Sequence, residues 1–89
     1  MAEIKKRRSI EEANQVHGMR IKYLRIKAGY PNATAFAKAQ DLSVTSYQRW
    51  EKGTNMMMGN LLLIMVIHDV SMYEFYTMEI DSAFLPESL

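Results

Sequence analysis

Apolar and polar residues recur at helical spacing along most of this chain. Ile10, Asn14, His17, Ile21, Leu24 and Ala28 follow one another at steps of three and four. That spacing predicts a first helix over about Ile10 to Ala28, with these residues on one face. Arg20, Lys22 and Lys27 then fall on its other faces. Ser9 and Glu12 have the S-x-x-E spacing of a capping box at its start. Gly29 suits the left-handed residue that closes many helices. Gly18 is a weak point, worth about 1 kcal/mol against Ala, and would let the helix begin later.

A second helix is predicted over about Ala33 to Gln40. Pro31 closes the preceding turn and Asn32 is a good N-cap. Ala33, Ala35, Ala37 and Ala39 favour helix and keep its surface small, with Phe36 as the one large anchor. Asp41-Leu42-Ser43 breaks the pattern. Ser43 caps a third helix, Val44 to Lys52, which Gly53 ends. If Leu42 sits in the turn, Leu42, Tyr47 and Trp50 point inward, and Val44, Thr45, Gln48, Arg49 and Lys52 stay outside. A fourth segment, about Met57 to His68, is apolar nearly all round. The fifth opens with a second capping box, Ser71 and Glu74, and runs through Met72, Phe75 and Tyr76 to about Thr77. Residues 78–89 show no usable period. The expectation is an all-α fold: a basic arm over 1–9, a five-helix domain over 10–77, and a tail.

Composition narrows the function classes. The chain has 89 residues, 48% hydrophobic and 24% charged, which fits one globular domain with a thin core. Little room is left for a substrate pocket and its supporting shell. There is no Cys, hence no disulfide, thiolate zinc site or Cys nucleophile. His17 and His68 lie on separate segments and read as helix-face residues, so no metal or cofactor is expected. No catalytic Ser, His and Asp set stands out, and Glu11 and Glu12 read as an exposed helix start. An enzyme is not expected. Met56, Met57 and Met58 read as adaptable packing. The first eight residues carry charge without an apolar core, so no secretory signal is expected. The longest apolar run, Leu61 to Ile67, has seven residues, against about 20 for a bilayer span. These features fit a cytoplasmic protein without membrane contact.

The net charge of +1 hides a dipolar chain. Residues 1–53 hold all eleven Lys and Arg against five acids, a balance of +6. Residues 54–89 hold no base and five acids, a balance of −5. Such asymmetry assigns different surroundings to the two parts.

Two short helices joined by a three-residue turn, the second with an exposed polar and basic side, predict a helix-turn-helix over residues 33–50. At this point the chain resembles the lambda-repressor-like helix-turn-helix family, of the Cro and phage-repressor type. The matching residues are Met19 to Arg25, Ala28-Gly29-Tyr30, Ala35 to Ala39, Leu42-Ser43 and Tyr47-Gln48-Arg49-Trp50-Glu51-Lys52-Gly53, with a weaker Val70 to Phe75. They cover about residues 19–76. The resemblance implies a compact five-helix DNA-binding domain acting on double-stranded DNA. It places Val44, Thr45 and Gln48 at base edges, with methyls for thymine and the Gln48 amide for adenine. Arg49 would meet a phosphate or a guanine, and Lys52 and Lys38 phosphates. It also implies a partly buried pair between Arg25 and Glu51 that ties helix one to helix three. Lys5 to Arg8 read either as a solvated terminus or as an arm to DNA, with Arg7 and Arg8 the nearest candidates.

Four positions depart from the family pattern. Ala33 stands where a Gln often touches phosphate and helix three. Asp41 replaces the turn Gly, and tolerates its positive φ better than most residues. Tyr30-Pro31-Asn32 is one residue longer than the commonest form. His68 takes a core Leu position, next after Leu61, Ile64 and Met65.

The same alignment places Leu63 and Val66 where polar, solvent-facing residues are usual. With Met72, Phe75 and Tyr76 they predict a homodimer seam on helices four and five. The expected function is a sequence-specific transcriptional regulator, of the repressor type, reading the major groove with helix 44–52 as a homodimer. The alternative is an antitoxin-like or adaptor module that binds another protein, a toxin or effector, through helix 57–68.

Overall fold

Asn32, Ser43 and Ser71 each adopt extended backbone just ahead of a helix, and each side chain accepts a backbone N–H three residues on. These caps satisfy amides that no helical carbonyl can reach. The computed structural model describes residues 10–80. Ser9, Arg7, Arg8 and residues 81–89 lie outside them, and with them the first capping box, the basic arm and most of the tail. The described chain forms five helices: α1 Ile10–Lys27, α2 Ala33–Ala39, α3 Val44–Lys52, α4 Met58–Ile67 and α5 Met72–Thr77. No strand occurs among the described residues. No helix among them is long and apolar enough to cross a membrane.

Four helices end in the same way. Gly29, Asp41, Gly53 and Asp69 take positive φ (93°, 57°, 91° and 54°) just past α1, α2, α3 and α4. In each case the next residue's N–H reaches back to the helix: Tyr30 to the Arg25 carbonyl, Leu42 to Ala37, Thr54 to Arg49, Val70 to Met65. This double closure satisfies carbonyls that α-helical bonding leaves open. Three of the following residues, Tyr30, Leu42 and Val70, pack against the core. The turns therefore reverse the chain and also contribute apolar surface. Asp69 plays this part at the end of α4, where the sequence offers no Gly.

The core is built from Ile21, Phe36, Ala37, Tyr47, Leu61, Ile64, Met65 and Phe75. Phe36 is its hub. Its ring lies 4.9 Å from Tyr47, 5.2 Å from Tyr30 edge-on, and 5.2 Å from His68 in a parallel stack. Ala37 is fully buried, as a close crossing beside α3 requires. The fifth helix contributes Phe75, and its capping box is complete: Ser71 Oγ accepts from Glu74 N–H, and Glu74 Oε1 accepts from Ser71 N–H.

The inward face of α1 differs from the expected one. Ile10 and Ala28 are exposed, while Gly18, Ile21 and Arg25 are buried. The centre of the helix crosses the end of α3, and among the described residues Ile10 and Ala28 at its two ends stay outside that crossing. Gly18 is the contact itself. A Cβ there would lie 2.7 Å from the carbonyl oxygens of both Trp50 and Glu51 and 2.9 Å from the Gly53 nitrogen. The helix therefore runs unbroken through Gly18, and the absent side chain lets two backbones touch. Gly53 meets α1 from the other side, where a Cβ would stand 2.9 Å from the Cα of Gln15. Arg20 also departs from the expected outer face. It is half-buried, and Nη1 donates to the carbonyls of Phe75 and Met78 at the end of α5. Those carbonyls are among the group a helix end leaves unpaired. Met78 itself packs against the core, so the body extends past residue 77.

Candidate nucleic-acid interface

The α2–α3 unit is held from three directions. Tyr47 of α3 is fully buried against Phe36, and Trp50 packs edge-on to Tyr47 at 6.1 Å. Leu42 fills the turn. The end of α3 is fastened to α1 by Arg25 and Glu51. Arg25 Nε donates to Glu51 Oε2 at 2.7 Å and Nη2 to Oε1 at 3.0 Å, a two-pronged contact. Its Nη1 donates to the Tyr30 carbonyl at 3.0 Å. The side chains of the pair are 6% and 9% exposed. At that burial the guanidinium needs its full set of acceptors. Hydrogen bonding to Glu51 raises the Arg25 pKa further above its ordinary value, against the opposing effect of burial. Burial, and next the Glu51 carboxylate, push the Tyr47 phenol far above its ordinary range.

This pairing changes the electrostatics of α3. Glu51 is the only acid of the helix, and it is spent inward on Arg25. Thr45, Arg49 and Lys52 are exposed, and Lys38 of α2 is exposed as well. The outward side thus presents cations without a neutralising acid from the same helix. Arg49 and Lys52 also lie in the last turn of α3, where a cation favourably meets the carbonyl end of a helix. Their placement has that local reason whatever they bind.

Two predicted contact residues sit differently from expectation. Val44 is half-buried and packs on the core, so it is not a free outward side chain. As the first residue of α3 it directly follows the turn, where it packs on the core as Leu42 does. Gln48 is half-buried, and its Nε2 donates to the Thr34 hydroxyl of α2 at 3.1 Å. Thr34 was not among the residues singled out from sequence. A hydroxyl fourteen positions away gives no periodic signal.

The predicted association face is also redrawn. Phe75 is fully buried and belongs to the core, so it cannot form part of a seam. Position 75 follows the capping box by one residue, and the short α5 turns it inward. Leu63, Val66, Met72 and Tyr76 are exposed, as are Met57, Met58, Leu62 and Tyr73. Val66 and Tyr73 are 75% and 77% exposed. Tyr76 is also tied down, with its hydroxyl 2.8 Å from His17 Nε2. That contact anchors α5 to α1.

Burial lowers the pKa of His68, and lowers that of His17 with the further help of the Arg20 charge. His68 Nε2 is buried without a hydrogen-bond partner. No group of three His, Cys, Asp or Glu able to hold a metal ion occurs among the described residues. Comparison of the chain with protein-family models, with curated proteins and with solved structures gave no match.

Proposed function

We propose that this chain is a sequence-specific DNA-binding transcriptional regulator, with α2–α3 as a helix-turn-helix of lambda-repressor-like type. One observation carries the reading. The sole acid of α3 is turned inward by Arg25, leaving Thr45, Arg49 and Lys52 exposed on α3, with Lys38 exposed on α2. A major groove admits one α-helix. Thr45, Gln48 and Arg49 are the base-edge readers in this proposal, and Lys38 and Lys52 the phosphate contacts. Arg7 and Arg8 add phosphate contacts from the basic segment ahead of α1. The protein performs no chemistry and acts by occupancy.

The exposed apolar residues of α4 and α5 support a homodimer. Leu62, Leu63, Val66, Met72 and Tyr73 are all exposed on these two helices, and apolar surface turned to solvent marks sites of association when it is concentrated. The acidic half of each chain then faces its twin, and the basic half faces DNA. Two α3 helices about 34 Å apart would read a near-palindrome. The same apolar surface favours one second reading, an adaptor that binds a different protein there.

Selection of bound sequences from a random DNA pool tests the proposal. It should return a symmetric operator whose affinity falls steeply with salt. Arg49→Ala should weaken binding strongly. Absence of binding to any DNA, or salt-independent binding, would sink it. Leu63→Glu should yield monomers in sedimentation. A wild-type chain that is already monomeric would favour the adaptor.

A further inference from the structure

The hydrogen bond between α2 and α3 assigns a role to a residue that no base-reading pattern singles out. We infer that Thr34 sets the base preference of Gln48, and that the base is adenine. This rests on the DNA-binding reading above and goes beyond it in naming what fixes the specificity.

A glutamine side chain has one acceptor oxygen and two N–H donors, and free in solvent it rotates among several poses. Here one N–H of Nε2 is engaged by Thr34 Oγ1 at 3.1 Å. Thr34 lies in the first turn of α2, whose backbone is fixed by the Asn32 cap. Gln48 lies in the middle of α3, whose position is fixed by Tyr47 and by the Arg25–Glu51 pair. Both ends of the link are thus anchored in rigid elements. The amide keeps two unused functions, the Oε1 acceptor and one N–H donor. Adenine offers the complementary pair in the major groove, the N6 amino donor and the N7 acceptor. Guanine offers two acceptors there and would require two donors from Gln48. The engaged N–H removes one of them. Thr34 is therefore a positioning residue. It touches no base, and it discriminates by consuming the donor that guanine would need.

The test compares the wild-type chain with Thr34→Val, Thr34→Ser and Gln48→Ala by selection from a random DNA pool, with thermal unfolding run in parallel. Valine keeps the shape of Thr34 and removes the hydroxyl. Serine keeps the hydroxyl. The wild type should show adenine at one position of each half-site, favoured by roughly tenfold or more over other bases. Thr34→Val should admit guanine at that position and cut the preference for adenine over guanine several-fold, while keeping the other operator positions and the salt dependence. Thr34→Ser should restore that preference. Gln48→Ala should lose the adenine preference altogether. Unfolding temperatures of the three Thr34 chains should agree closely, which separates positioning from loss of structure. An unchanged operator in Thr34→Val would overturn the inference and leave the DNA-binding reading standing. Selection of guanine at the Gln48-dependent position would overturn the adenine assignment. Failure of the wild type itself to select any sequence would strike the underlying reading instead.

Discussion

Gly18 shows how one side chain, or its absence, can fix a tertiary contact. Helix propensity alone disfavours Gly at mid-helix by about 1 kcal/mol against Ala. The close approach of α1 to the Trp50 and Glu51 carbonyls reverses that preference. Gly18→Ala should therefore destabilise the protein by roughly 1–3 kcal/mol, the usual cost of forcing packed elements apart. Chemical denaturation would measure it. A variant as stable as wild type would mean that α1 can shift without loss. The alanine pattern around Ala37 made one close crossing legible in the sequence. The Gly18 crossing was not legible, because a glycine required for contact and a glycine merely tolerated read alike along a chain. Phe75 shows the same limit: its helical period placed it on α5, but which side of so short a helix faces inward depends on where α1 lies. Arg25 and Glu51, by contrast, are named by the family resemblance as a pair, and the two-pronged geometry stands between those residues.

At the scale of elements, helix ends carried the strongest sequence signals. Asn32, Ser43 and Ser71 cap through local chemistry that depends on three consecutive amides and on nothing distant. For that reason α2, α3 and α5 lie within a residue of their predicted bounds. The ends at Asp41 and Asp69 use the left-handed conformation without a glycine. That conformation costs a non-glycine residue roughly 1–2 kcal/mol, somewhat less for Asp. Asp41→Gly should accordingly stabilise the α2–α3 turn by about 0.5–1 kcal/mol, partly offset by the greater freedom of glycine in the unfolded chain. Thermal unfolding would report it as a rise of a few degrees. A fall would mean that the Asp41 carboxylate makes a stabilising contact beyond its backbone role. The outward side of α3 was legible for Thr45, Arg49 and Lys52. It was not legible for Gln48, because Thr34 engages it from another helix.

At the scale of the whole molecule, the two histidines link stability to pH. His68 lies flat against Phe36, with Nε2 buried and unpartnered, and its folded-state pKa is lowered by burial. The folded protein therefore resists protonation more than the unfolded chain does. Stability is complete above the unfolded value near 6.5 and is lost as pH falls through the lower folded value. His17 acts in the same direction. Melting temperatures measured at pH 7.5 and 5 should fall on acidification. His68→Leu should shrink that fall while keeping the stacking surface on Phe36 filled. An equal fall in the variant would place the acid sensitivity elsewhere.

The contact through Gly18 has one more consequence, which concerns how such a protein can change over generations. At Gly18 the approach of α1 to α3 is limited by backbone meeting backbone, while the Leu61, Ile64 and Met65 side chains share one buried cluster with Ile21 of α1 and Tyr47 of α3. Any side chain at position 18 larger than hydrogen would have to move α3 relative to α1. The exposed apolar residues of α4 and α5 stand outside that cluster and are free to drift toward new associations, while the glycine contact that sets α1 against α3 is inherited unchanged.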